Sequence, residues 1–406
     1  MTGQGGFFPF AKKQETRRRV SESNDTLPPR TAFISALNLL LCSILIPFML
    51  GGNETATYAL ALAACLTSTI VVFISAKKIS HAVIYTAALV LSLGMFTLPL
   101  LPALTFGTVV AIGSGASLIS TAKGWRASLA PITVALSLII SIIVCGDIII
   151  AITSLAMFVP TVVMGIASRK KSAVSVAVIA GSASMLFALI LALLATLYEI
   201  YGEISLEAIN HGIDSIAADL ITYTEMSLDE LMDIEINEAM HNYVVEMVDY
   251  YINLSPGMMI ATCTVISYLA HKIELSTLEV HGIDELLDDN TTELSMGIIT
   301  PFVYVIALVL SFSLDPHNNV SVVAVVADNL CLIFAPGLLV MASRVIRILP
   351  GKLGFIGLLI SGALILFMIL AFCYFPMSIP LVGAGYVIAI HIDAWAKEHY
   401  SKGDNQ

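Results

Sequence analysis

The stretch from Lys123 to Lys171, KGWRASLAPITVALSLIISIIVCGDIIIAITSLAMFVPTVVMGIASRKK, decides the class of this chain. It holds two long apolar runs, parted only by Gly146 and Asp147. Lys123 and Arg126 stand at one end and Arg169-Lys170-Lys171 at the other. A helix needs about 20 apolar residues to cross the hydrocarbon core of a bilayer. Each run meets that length, so the stretch predicts a pair of antiparallel membrane-spanning helices. Cytoplasmic loops collect Lys and Arg. Both basic ends therefore face the cytoplasm, and the Gly146–Asp147 turn faces outward.

The same rule extends over the whole chain. Its 19 Lys and Arg residues fall in short clusters, from Lys12–Lys13 through Lys77–Lys78, Lys272 and Arg344–Arg347 to Lys397 and Lys402. Two apolar segments separate each neighbouring pair of clusters. The segments are 31–51, 56–76, 80–98, 103–121, 127–146, 148–167, 172–198, 256–271, 296–314, 319–343, 353–375 and 378–394. The expected fold is an all-α polytopic transmembrane bundle of about 12 spans, with both termini cytoplasmic. The eighth segment, 256–271, is short at roughly 25 Å of helix. Removing it would turn Arg344, Arg347 and Lys352 to the outside, against the charge rule. Pro376 and Pro380 bracket the start of the last segment, which leaves a re-entrant path open there. By region, 1–30 is a basic cytoplasmic tail, 31–198 an N-terminal membrane region, 199–255 an extracytoplasmic insert, 256–395 a C-terminal membrane region and 396–406 a cytoplasmic tail.

Composition agrees. Apolar residues make up 58% of the 406 and charged residues 12%, against roughly a quarter charged in soluble domains. The net charge of −11 gives no sign of a nucleic-acid partner. The six cysteines lie in or beside apolar segments and form no CxxC pair, so neither a disulfide framework nor a zinc site is expected. No P-loop, GxSxG, HExxH or strand-borne GxGxxG occurs, and the eight histidines are scattered. No cofactor, no metal and no enzymatic activity are expected.

The insert 199–255 carries 13 acidic residues and no Lys or Arg. Leu206, Ile209, Ile213, Ile216 and Leu220 repeat at helical spacing and give one apolar stripe. Ser227-Leu228-Asp229-Glu230 has the form of a capping box, which predicts a second helix starting there. The insert is expected to be a solvated acidic helical pair. A second acidic segment, 273–295, is expected as a short cytoplasmic surface helix and loop.

Polar residues inside apolar segments are the candidates for binding. Asp328 lies in the tenth segment beside Asn329, and a charged Asp at a helix centre costs about 2.5–3.5 kcal/mol on insertion scales. Pro336-Gly337 follows two turns later. Proline removes an intrahelical hydrogen bond, so a helix break is expected at that pair. A polar pair beside a broken helix is one way that transporters build a site. The alternative is a purely structural Asp, hydrogen-bonded to a neighbour. Asn38 in the first segment is a weaker candidate of the same kind, since an Asn can simply bridge two helices. Ala32 and Ala36 place small residues four apart, which lets helices approach closely.

Asp328-Asn329-Leu330, Pro336-Gly337-Leu338, the Pro350 loop and Ile392-Asp393-Ala394-Trp395 together resemble the C-terminal part of the YybS-like family of bacterial membrane proteins, found mainly in Firmicutes. The apolar first half is similar in style to the S components of energy-coupling-factor transporters. That resemblance implies a solute-binding protein that needs a separate energising partner subunit, with Ala32 and Ala36 as the docking positions. The acidic 199–255 insert departs from the family pattern. The expected function is solute binding or transport in the cell membrane, with an unknown small-molecule ligand at Asp328, Asn329 and Asn38. The alternative is a non-transporting envelope scaffold or regulator of cell-wall, division or sporulation machinery.

Overall fold

The computed structural model describes residues 26–51, 54–76, 103–232, 236–283, 286–287, 294–313, 322–374 and 376–401. The predicted third span, 80–98, most of the basic tail, and Asp284, Glu285, Asp288 and Asp289 lie outside these. The described residues form helices joined by short turns, without a strand. The helices are α1 Pro29–Leu50, α2 Glu54–Ser75, α3 Thr108–Ser120, α4 Leu129–Cys145, α5 Ile148–Ile152 and α6 Phe158–Arg169. They continue as α7 Val174–Tyr201, α8 Leu206–Met232, α9 Glu238–Val280, α10 Ile299–Ser313, α11 Val322–Tyr374 and α12 Pro380–Ser401. Among the described residues, eight helices are long and apolar enough to cross a membrane, with α10 and the apolar part of α12 as shorter apolar helices. This is a helical membrane protein by length and composition. Its outward surfaces agree, since Ile139 and Ile143 on α4 and Phe355 and Leu366 on α11 are all exposed. Exposed apolar surface of this extent fits contact with a membrane.

The expected hairpin of 123–171 forms. Gly146 ends α4 in the left-handed conformation at φ 70°, and its N–H bonds the Ile142 carbonyl. Asp147 then caps α5, its carboxylate accepting the Ile149 N–H at 2.6 Å. These are the usual devices for stopping one helix and starting the next.

α11 is continuous by hydrogen bonding, yet Gly354 leaves helical geometry at φ 56°, ψ −129°. The Ser361 hydroxyl donates to the Ile346 carbonyl at 3.0 Å. Those residues would be roughly 22 Å apart along a straight helix. The chain therefore reverses at Gly354, and α11 is two antiparallel arms. Pro336-Gly337 is not a break: Gly354 is the residue with non-helical dihedrals inside α11. A proline forfeits one backbone bond, and a helix packed on both sides of it can keep its path.

The inserts also differ from expectation. No helix starts at Ser227. Its hydroxyl donates back to the Tyr223 carbonyl at 2.8 Å within α8, as serine does inside a helix. The cap lies at Asn237, whose Oδ1 accepts the Met240 N–H at 2.9 Å. From there α9 runs 43 residues through Pro256, about 65 Å, so the last part of the insert and the eighth span are one helix. That helix also passes Lys272, and the first part of the predicted surface segment 273–295 is its buried last two turns.

The chain divides into two compact units, Glu22–Asn253 with Thr262–Ser295 and Leu254–Ala261 with Met296 onward. The division runs through α9, so residues 262–280 belong with the N-terminal helices and not with the C-terminal membrane region. In the first unit α3 is central, packed on α1 and α6. Gly115 makes this possible: a Cβ there would lie 2.6 Å from Thr161 Cγ2 of α6 and 3.0 Å from Leu39 Cδ2 of α1. In the second unit α10, the α11 arms and α12 pack on one another.

Candidate functional site

In the second unit the polar residues gather on one turn of α11. Asp328 is buried, 2% exposed, and its Oδ1 accepts the Ser311 hydroxyl of α10. Asn329 faces α9: its Oδ1 accepts the Gly257 N–H at 2.6 Å, while its Nδ2 donates to the Val325 carbonyl at 2.9 Å. The reason lies in the sequence of α9. The Pro256 ring crowds the carbonyl one turn earlier and disturbs the backbone ladder, so the neighbouring Gly257 N–H takes an acceptor outside the helix. Gly257 lets α11 come close enough to be that partner. A Cβ at Gly257 would lie 2.6 Å from Asn329 Oδ1 and 2.9 Å from its Cα. Asp328 and Asn329 thus tie α11 to α10 and to α9. Pro336-Gly337 is not part of this cluster; Gly337 instead accommodates Met296. Elsewhere in the unit, the buried Tyr304 hydroxyl donates to the Met377 carbonyl before α12.

Asn38 lies in the first unit, fully buried. Its Oδ1 accepts the hydroxyls of Thr67 at 2.8 Å and Ser68 at 2.9 Å, which bridges α1 to α2. Its Nδ2 has no hydrogen-bond partner. Ala32 and Ala36 are buried too, in a cluster with Leu27, Leu118, Leu278 and Ile283. Their close approach is used within the chain itself, and this face of α1 offers no surface to a second subunit.

One polar pair was not anticipated. His271 and Glu274 lie one turn apart on α9, 1% and 0% exposed, with Nδ1 and Oε2 at 3.2 Å. Glu274 Oε1 has no hydrogen-bond partner. One turn further, the Thr277 hydroxyl donates to Ser75 Oγ at the end of α2 at 2.8 Å. The signal was present as a stripe, Cys263, Ser267, His271, Glu274 and Leu278 at spacings of three and four. Lys272 and the acids after it hid that stripe, because they made the segment look like a surface loop.

No family model, curated protein or solved structure matches this chain. The arrangement of its own residues is therefore what carries a functional reading.

Proposed function

We propose that this chain is a multi-pass membrane protein that binds and moves a solute or ion, with Asp328 as the binding carboxylate. The observation behind this reading is the burial of Asp328 within an apolar helix. Acids in such segments are costly and tend to mark ligand or ion paths. Ser311, Asn329 and Gly257 give that turn of α11 fixed hydrogen-bond geometry, as a binding group needs. About twelve crossings fit the chain: the two arms of α11, short apolar α10 and α12, and apolar 80–98 add to the other long helices. The basic clusters favour cytoplasmic termini in the cell membrane. Similarity to YybS-like proteins and to S components stays part of the proposal, with a separate subunit supplying energy. That subunit would dock somewhere other than Ala32 and Ala36.

The test is mass spectrometry of small molecules retained by protein purified from native membranes. Wild type is expected to retain a ligand that Asp328→Asn loses at unchanged abundance and helical content. Identical ligand content in wild type, Asp328→Asn and Asp328→Leu would exclude the site.

One observation favours a second reading. On α8, Leu206, Ile213, Ile216, Leu220 and Tyr223 are exposed on one face of an acidic helix. Such a face suits an envelope scaffold with a partner outside the membrane. Under that reading, Ile216→Asp abolishes function while Asp328→Asn does not.

A further inference from the structure

We propose that Glu274 and His271 form a proton-binding dyad near the cytoplasmic end of the first unit, with the proton carried on Glu274 Oε1. The proposal rests on reading α9 as membrane-spanning and is independent of a ligand at Asp328.

Three observations carry it. First, Glu274 is wholly buried, and one carboxylate oxygen has no partner while the other meets His271 Nδ1 at 3.2 Å. Burying a bare anionic oxygen costs several kcal/mol, and a proton on Oε1 removes that charge while Oε2 keeps its bond from His271. Second, few charged side chains stand on the packed elements among the described residues. α1 brings exposed Arg30 and buried Cys42; α2 brings exposed Glu54 and Tyr58 and buried Cys65; α3 brings no titratable side chain; α7, which meets α9 through Ser182 and Thr264, brings exposed Tyr198, Glu199 and Tyr201. On α9 itself, Lys272 Nζ sits over the Tyr268 ring at 5.6 Å, and Glu279 is exposed. Third, the pair is close to an exit. Thr277 meets the last residue of α2, and His281 Nε2 lies 3.2 Å from Thr31 Oγ1 in the first turn of α1. Glu274 is thus roughly 10 Å below the end of α9. The hydroxyls of Thr277 and Ser75 lie on that side.

The chemistry is a single acid–base step. The Oε1–H bond breaks, its electron pair stays on the carboxylate, and the proton leaves to water at the cytoplasmic end of α9. Uptake is the reverse.

Infrared difference spectroscopy of the full-length protein, recorded as the pH is raised, tests this. Wild type is expected to lose a protonated-carboxyl band. That band shifts in Glu274→Asp, disappears in Glu274→Gln and persists in Asp328→Asn. A second signature is a shift of the band's midpoint in His271→Gln. The proposal is overturned if Glu274→Asp leaves the band unmoved, if Glu274→Gln retains it, or if it is lost in Asp328→Asn alone. A band lost on adding sodium at fixed pH would also overturn it, in favour of a metal cation. Should Glu274→Gln fail to fold, the Glu274→Asp shift decides the matter. A ligand lost in Asp328→Asn with no Glu274 band would sink this inference and leave the transport reading standing.

Discussion

Gly257→Ala is the sharpest test of how α9 and α11 cross. The added methyl would lie 2.6 Å from Asn329 Oδ1, 2.9 Å from its Cα and 3.0 Å from its carbonyl oxygen. Two of those three atoms are backbone, so a rotamer change at Asn329 cannot clear the space. Overpacking of this kind costs about 1–3 kcal/mol. Separating the helices also breaks the 2.6 Å bond from the Gly257 N–H, and an unsatisfied buried group costs about 1–3 kcal/mol more. The expected loss is therefore on the order of 3 kcal/mol. Equilibrium unfolding in mixed micelles measures it, with Gly362→Ala as control. At Gly362 an added Cβ meets nothing within 4 Å, so that variant should be neutral or more stable, as Ala favours helix by up to about 1 kcal/mol. In an Asn329→Ala background the hydrogen-bond part of the Gly257→Ala loss disappears and the backbone clash stays. The two losses should thus fall short of additive by about 1–2 kcal/mol. Full additivity, or a Gly257→Ala protein as stable as wild type, would refute the close crossing.

Other perturbations have equally direct outcomes. Thr222→Cys, exposed on α8, should react with an impermeant thiol reagent in intact cells of a cysteine-free strain, while Lys170→Cys should react only after lysis; the reverse pattern defeats the proposed orientation. Gly354→Ala forces an L side chain into a region that glycine alone enters easily, and should lower unfolding free energy by about 1–3 kcal/mol with the α11 reversal loosened in hydrogen exchange; unchanged exchange would refute it. Burial holds His281 below its ordinary value of 6.5, so the unfolded chain takes up that proton first. Stability should therefore be full above about pH 6.5 and fall as the pH drops through that value. His281→Gln should flatten this dependence, and an unchanged profile would mean that another group sets it.

Most of the long apolar helices among the described residues were legible because an apolar run of some 20 residues has few other fates. The Gly146–Asp147 hairpin could be read almost to the residue, since both turn chemistry and flanking charge marked it. What escaped depended on tertiary neighbours. Ser227 has the residue type of a cap, and only the continuing packing of α8 decides that its hydroxyl bonds backward. Pro336 has the residue type of a breaker, yet α11 keeps helical dihedrals through it, and Gly354 makes the turn instead. Asp328 was found because it interrupts an apolar run. Glu274 was missed because it follows Lys272, where the hydropathy of the segment falls even though α2 and α3 cover it. A single sequence records that a residue is charged, not whether a neighbouring helix will enclose it.

α9 runs as one helix from its Asn237 cap to the buried His271–Glu274 pair, and it lends residues to both compact units. An α-helix is stiff in twist and length compared with a loop. A push or torque applied to its N-terminal end is therefore delivered at the His271–Glu274 end without needing a relay of side chains. Pro256 is the proline inside this helix, where one backbone hydrogen bond is forfeited, and the Asn329 clamp sits beside it at Gly257. The rod thus carries a brace at its weakest joint, and loosening that brace would let the two ends turn independently.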